Sequence, residues 1–478
     1  MVDRVELAVV GAGPAGIAAA VTAAEAGVET VLVDAQPRPG GQYFRQPLDV
    51  FRGEAASRHS RQADAVLRRL AGSSVRGLSD ALVWGAFPAA DKSGWELTLY
   101  GPDVPARLIA RTLILATGAY DRPIPFPGWT LPGVMTTGGV QSFLKTHWRP
   151  PGRRFLVAGT GPLEIAVAAG LVQGGAEVIA VLEAARLDWR DVRHAAALWG
   201  QWGRLAEGWN YGRTLFAARV PLRLGWAIVE ARGNSQVEEA VICRVDDTGQ
   251  PLPGTSETVA VDTIAIGYGL IPSTELPRLL GCVHEFRPKQ GGTVPRRDTE
   301  MQTSLPGVYA AGDGAGIGGT ELAQIEGRIA AFAAARHLGK LSEAAARCAI
   351  DREQPGLARQ QRFARMLGEL FTPGAGLHGL ATRRDDTVVC RCEEVTLGEI
   401  RQAVAEGATS ANEVKGLTRT GMGNCQGRIC GEIVGRIIAA ETGSHGDDAG
   451  AIEKSGIFTA RAPIHPLPLD ALADTLSD

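Results

Sequence analysis

Short runs of continuous apolar residues alternate with alanine-rich stretches of helical length along most of this chain. That order predicts strands buried on both faces with helices laid over them. Val5–Val10 reads as such a strand, and Gly11-Ala12-Gly13-Pro14-Ala15-Gly16 follows it. An alanine-rich helix then runs to about Ala26, where Gly27 is placed to end it in a left-handed conformation. Thr30–Val33 is the next strand, closed by Asp34 and Ala35. Strand, glycine turn, helix, strand and acid together make the full βαβ context of a dinucleotide fold.

The pattern recurs. Phe155–Ala158 predicts a strand, Gly159-Thr160-Gly161 a turn, Leu163–Gln173 a helix, and Glu177–Leu182 a strand ending in Glu183. Leu113-Ile114-Leu115-Ala116-Thr117-Gly118 is a strand running into a tight turn, and Thr263–Gly269 repeats that form after the second fold. A last strand, Gly307–Ala311, leads into Gly312-Asp313 and a Gly-rich loop before another alanine-rich helix. The fold class is therefore α/β, with two Rossmann-like dinucleotide-binding domains, the second inserted in the first, and a small, mainly helical C-terminal domain. The first domain takes residues 1–122 and 290–335, the insert 123–289, and a helical connector and linker 336–386. A cysteine domain takes 387–442, and a tail 443–478. Pro373, Gly374 and Gly376 give the linker its character. A polar, Gly-rich loop opens the tail, whose later prolines predict extended chain.

At the first turn each glycine has a separate task. Gly11 makes the tight bend, Gly13 lets the backbone approach a pyrophosphate, and Gly16 lets helix and strand pack closely. Pro14 and Ala15 open the helix, whose free N–H groups and positive dipole end favour phosphate. Asp34 stands 18 residues beyond Gly16, where a carboxylate would take a ribose hydroxyl. Gly41 and Gln42 form a second close-approach loop, Ala116-Thr117-Gly118 a third, and Gly312-Asp313 completes the set with a carboxylate for a ribityl hydroxyl. Four separated elements agree on FAD, or another adenine nucleotide such as ATP in its place. The competing reading is a Rossmann fold without flavin.

The second turn departs from this pattern. Gly159 and Gly161 hold the first two glycine positions and Glu183 the acid, but the third glycine position is Glu164. A carboxylate there stands where a pyrophosphate would sit. A retained fold with weak or altered nucleotide binding is expected.

Of seven cysteines, four crowd near the C-terminus. Cys390-Arg391-Cys392 is followed, after 32 residues, by Cys425-Gln426-Gly427-Arg428-Ile429-Cys430. Such a cluster argues for a metal centre in a reducing compartment. Four thiolates suit tetrahedral zinc or an iron–sulfur cluster, and a Cys-x-Cys pair is awkward for zinc ribbons and knuckles. Thr396 with Glu399 predicts a capping box opening a helix between the pairs. Cys243, Cys282 and Cys348 read as inert thiols.

The glycine motifs over residues 1–335 resemble the two-dinucleotide-binding-domain flavoproteins. The disulfide reductases of that family need a close cysteine pair, and none occurs here before Cys390, so that chemistry is not expected. The cysteine region resembles the domain named after bacterioferritin-associated ferredoxin, which implies a [2Fe-2S] cluster on Cys390, Cys392, Cys425 and Cys430. The Cys-x4-Cys second pair matches the version fused to flavoproteins.

The whole order, with Thr112–Trp129 and its Ala116-Thr117-Gly118-Ala119-Tyr120-Asp121-Arg122-Pro123 core, resembles the alpha (A) subunits of heteromeric flavin-dependent amine dehydrogenases. That group includes the opine oxidase, D-hydroxyproline dehydrogenase, L-proline dehydrogenase and hydrogen cyanide synthase types. The resemblance implies a partner, a flavin amine-oxidase-like beta subunit that binds the small amine substrate. It also implies an FMN at a subunit interface and electron transfer through this chain to a non-oxygen acceptor. Two other readings stand beside it: a self-contained NAD(P)H-dependent reductase with its own cluster, and a nucleotide-binding scaffold with a structural cluster. No His lies in a recognisable catalytic motif, and no catalytic residue is assigned.

A net charge of −3 across 478 residues gives no pull toward nucleic acid. No apolar run is long enough to span a membrane, and the chain begins almost at once with a strand. A cytoplasmic chain is expected, at most peripheral to the inner face of the membrane.

Overall fold

A computed structural model describes residues 3–48, 58–186, 189–382, 384–443 and 449–476. Residues 444–448 of the polar loop and residue 383 of the linker lie outside the described residues. The chain forms two compact units. One comprises Met1–Ala119, Pro272–Ala364 and Thr459–Asp478, the other Tyr120–Ile271 and Arg365–Phe458.

The first unit is built on a parallel sheet. Asp3–Val10 lies between Thr30–Val33 and Arg107–Leu115, with Arg76–Leu78 at one edge and Val308–Ala310 paired to Arg107–Leu115. Leu82–Pro88 and Trp95–Tyr100 extend the sheet antiparallel. All four residues of Thr30–Val33 are buried, as a strand covered on both faces requires. The helix Pro14–Glu25 packs on the helix Thr320–His337. A Cβ at Gly327 would stand 2.2 Å from the Ala15 carbonyl, so only glycine allows this approach. Ile464 of the tail is buried here and donates its N–H to the Trp84 carbonyl over 2.9 Å.

The second unit carries a five-stranded parallel sheet in the order Leu222–Leu224, Glu177–Glu183, Arg154–Gly159, Thr263–Gly267, Val134–Thr136. The helices Thr137–His147, Pro162–Gln173 and Trp202–Ala217 accompany it. Trp226–Arg232, Glu239–Arg244 and Glu257–Ala260 form a separate antiparallel sheet. The cysteine region belongs to this unit. Its short hairpin, Val388–Cys390 with Val395–Thr396, is followed by helices Leu397–Ala405, Ala411–Thr418 and Gly431–Glu441. Two capping boxes start the first two helices, Thr396 with Glu399 as expected and Ser410 with Glu413 in addition. Val389, Leu397, Ile400, Val414, Val434 and Ile437 fill its core.

The segment expected to be a linker is not loose chain. Leu377 and Leu380 are buried in the core of the second unit. A Cβ at Gly376 would stand 2.3 Å from the Gln250 amide, and one at Gly374 would stand 2.5 Å from the Thr248 carbonyl. These glycines permit backbone contact; they do not supply flexibility.

Candidate functional site

In the first unit the structure brings the separated glycine elements together. Gly11 bends with φ +103°, and a Cβ there would stand 2.3 Å from the Ala116 carbonyl. A Cβ at Gly16 would stand 1.7 Å from the Gly11 carbonyl. Gly41, at φ +58°, passes so close over Gly13 that a Cβ would lie 2.9 Å from its Cα. On its own side-chain side Gly13 has no atom within 4 Å, so the helix N-terminus opened by Pro14 faces free room. That room is what a pyrophosphate needs. The Asp34 carboxylate accepts the Ala12 amide in a short bond and the Gln36 amide over 2.7 Å. Burial raises its pKa against those two bonds.

Thr117 donates its hydroxyl to the Ser273 carbonyl at 2.7 Å, and a Cβ at Gly314 would meet that same hydroxyl oxygen at 2.8 Å. Asp313 accepts the Gly318 and Gly319 amides at 2.9 and 3.0 Å, so its carboxylate organises the loop before the helix. Gln42 accepts the Arg45 guanidinium, and Ala35 is exposed. One support was not read from sequence. Buried Glu326 accepts the Gly312 amide at 2.9 Å and is clamped by Arg297 at 2.6 and 2.9 Å. Nothing local announces this pair, because its members lie 29 residues apart.

In the second unit Gly159, Gly161 and Glu183 also converge. Glu183 accepts the Gly161 and Ala185 amides, both at 2.8 Å. Glu164 lies in the first turn of its helix but is buried, with one carboxylate oxygen 2.8 Å from where a Cβ on Gly159 would stand. Phe371 approaches the same turn, 3.9 Å from the corresponding point on Gly161. Burial, then the neighbouring Glu183 and Asp121, raises the Glu164 pKa well above the ordinary glutamate value. A neutral carboxyl therefore fills the turn.

The four clustered cysteines meet as two pairs. Cys390 and Cys430 are buried and within hydrogen-bonding reach of each other; Cys392 is exposed and pairs with half-buried Cys425. The Cys430 thiol pulls the Cys390 pKa down to about 6, helped by the Gly421, Glu393 and Cys392 amides. The Gly421 N–H points at the Cys390 sulfur from 3.4 Å. A Cβ at Gly423 would stand 2.3 Å from the Cys392 Cβ, so the second loop closes on the first only through glycine. Phe458 packs over Gly421 and Gly427, both at positive φ, and shields this side. Among the described residues no three His, Cys, Asp or Glu side chains gather as one mononuclear ion would require. Two thiol pairs suit a dinuclear cluster with two protein ligands per iron.

The segment around Tyr120–Trp129, singled out from sequence, lies against this cysteine region. Arg428, between Cys425 and Cys430, donates to the Tyr120 hydroxyl at 2.9 Å. Trp129 donates its indole N–H to the Val388 carbonyl at 2.6 Å, and Arg391 stacks over its ring at 5.7 Å. Buried Arg122 pairs with Glu432 at 3.0 Å, and Glu432 with Arg436 at 2.9 Å. Burial, then Arg436 and Arg122, holds His378 well below the ordinary histidine pKa, so it is neutral beside them.

A flavoprotein-type nucleotide fold and a four-thiol centre in one chain define a redox protein. The pyridine nucleotide-disulphide oxidoreductase family matches residues 5–339, and the BFD-like [2Fe-2S] binding domain matches residues 388–440. Hydrogen cyanide synthase subunit HcnB of Pseudomonas aeruginosa is 35% identical over 97% of this chain and 97% of its own. One subunit of the opine oxidase of Agrobacterium tumefaciens is 33% identical over 98% of this chain and 92% of its own. The crystal structure of L-proline dehydrogenase from P. horikoshii shares the fold, with a TM-score of 0.69, 18% identity, and coverage of 99% of this chain and 80% of that one. The chain belongs to the pyridine nucleotide-disulphide oxidoreductase family and ends in a BFD-like [2Fe-2S] domain. It is an oxidoreductase with FAD and a [2Fe-2S] cluster as its cofactors. No helix among the described residues is long and apolar enough to cross a membrane.

Proposed function

We propose that this chain is the electron-transfer alpha subunit of a heteromeric dehydrogenase that oxidises a secondary amine or amino acid of the opine, proline or hydroxyproline type. A flavin amine-oxidase-like partner binds the amine. The relatives named as subunits support the heteromer. Gly11, Gly13, Gly16, Asp34, Gly41, Thr117, Gly118, Gly312 and Asp313 would hold FAD, and Cys390, Cys392, Cys425 and Cys430 the cluster. When bound, FAD supplies two-electron acceptance and the cluster one-electron transfer. The protein's own contribution is orientation. Glu326 and Arg297 fix the Gly312 turn, and Tyr120, Trp129 and Arg122 hold the cysteine loops. The exposed Cys392–Cys425 side gives an acceptor access, while Cys390 and Cys430 face the interior.

One observation carries the choice over a self-contained NAD(P)H reductase. Buried Glu164 and Phe371 fill the second glycine turn, where a nicotinamide dinucleotide would place its pyrophosphate. Electrons therefore come from a partner. The test is reduction of the purified chain under anaerobic conditions: an amine acts only with the partner present, and NADH and NADPH do not act. Rapid reduction by either nucleotide would reverse the assignment.

A further inference from the structure

The helix Trp202–Ala217 turns only a narrow side inward. Leu215 is buried and Tyr211 partly so, against the core that includes the helix Pro162–Gln173. Its outer stripe is the unusual part. Trp202, Leu205, Trp209 and Phe216 recur at helical spacing and are 62%, 40%, 71% and 85% exposed. Trp199, 76% exposed, meets Trp202 edge-to-face at 5.5 Å and lengthens the stripe. Three of the chain's nine tryptophans thus stand in solvent within eleven residues. Side chains of this kind in a contiguous patch mark an interaction surface.

We infer that this stripe docks the amine-oxidising partner subunit, which meets it with an apolar ridge rimmed by Asp and Glu. The inference rests on the heteromeric reading proposed above, and three features select this occupant. A groove of about 1240 Å³ runs beside the stripe, lined by Val172, Leu205, Trp209 and Phe216. A groove receives protruding side chains, whereas a bilayer needs a flat or convex face. The helix and the two residues after it hold Arg204, Arg213 and Arg219, no lysine, and one acid, Glu207, which already accepts the Tyr211 hydroxyl at 2.7 Å. Trp and Arg without Lys is the composition of a protein–protein contact. The cationic rim disfavours a second copy, because a two-fold contact through this stripe would bring arginines onto arginines.

The test uses the full chain, co-expressed with the flavin amine-oxidase-like subunit of the same organism, and reads complex mass and affinity by sedimentation. Wild type forms the heteromer. Trp209→Ser with Phe216→Ser weakens it at least about 100-fold, while the melting temperature of the isolated chain stays put because both side chains are exposed. Arg213→Glu weakens it too, and more strongly at low salt. If the double variant binds the partner as tightly as wild type, the docking inference falls and the heteromeric reading stands. If wild type forms no heteromer, that reading fails and takes the inference with it. A wild-type homodimer that the double variant breaks would give the stripe to a second copy. Binding to phosphatidylglycerol vesicles that the double variant loses would give it to a membrane. Either result overturns the inference.

Discussion

Replacing Glu432 by Gln keeps the shape of the side chain and removes its charge, which leaves the Arg122 and Arg436 guanidiniums buried together. These two are 4% and 7% exposed, and Glu432 joins them at 3.0 and 2.9 Å. Burial already draws the Arg122 pKa down, and Glu432 opposes that shift. Neutral His378 offers no replacement charge. Removing one partner of a buried ion pair costs about 3–5 kcal/mol. For a unit of about 250 residues, 3 kcal/mol corresponds to a melting temperature lower by roughly 6–12 °C. The loss falls on the contact between the Gly431–Glu441 helix and the Tyr120–Trp129 segment. Hydrogen exchange should therefore rise in residues 388–440 before it rises in the parallel sheet. Replacing all three residues with apolar ones of similar size, Arg122→Met, Glu432→Leu and Arg436→Leu, should restore most of the loss. A Glu432→Gln protein that melts within a degree of wild type, with unchanged exchange, would refute the argument that this network holds the cysteine region in place.

Three other outcomes follow from the geometry. Gly13→Val meets no neighbouring atom, so the fold should persist while FAD content falls more than tenfold; full flavin occupancy would show that the open room at Gly13 is not the phosphate site. Cys425→Ser should remove iron and cluster absorbance with flavin retained, and iron analysis unchanged from wild type would remove Cys425 from the ligand set. Glu164 binds its proton more tightly in the fold than in the unfolded chain, so stability falls as pH rises from 4.5 toward its raised folded value. Glu164→Gln should flatten that slope in melts taken across the range, and an identical slope would place the titration elsewhere.

Much of the fold was legible because it is written locally. Apolar runs, glycine turns and acids at strand ends recur at fixed spacing, and Thr396 with Glu399 marks its helix within four residues. The four cysteines were legible for the same reason. What escaped was long-range. Glu326 serves Gly312 from a helix 14 residues on, and Arg297 reaches it from 29 residues away. Arg428 finds Tyr120 across 308 residues. Glycine also reads ambiguously, since Gly374 and Gly376 suggest a flexible linker and instead allow backbone contact. The stripe on Trp202–Ala217 has a helical period, but period alone does not tell a core-facing stripe from a solvent-facing one.

The central claim is that electrons reach this chain from an amine-oxidising partner and not from a nicotinamide nucleotide. It is tested most directly by an anaerobic titration of the flavin- and iron-loaded chain, following flavin and cluster absorbance together. NADH and NADPH are added first, then proline-like and opine-like amines with and without the partner. The account predicts no bleaching by either nucleotide, and bleaching by an amine only when the partner is present. Stoichiometric bleaching by NADH or NADPH alone would contradict it and would mean that the turn filled by Glu164 and Phe371 opens to a dinucleotide.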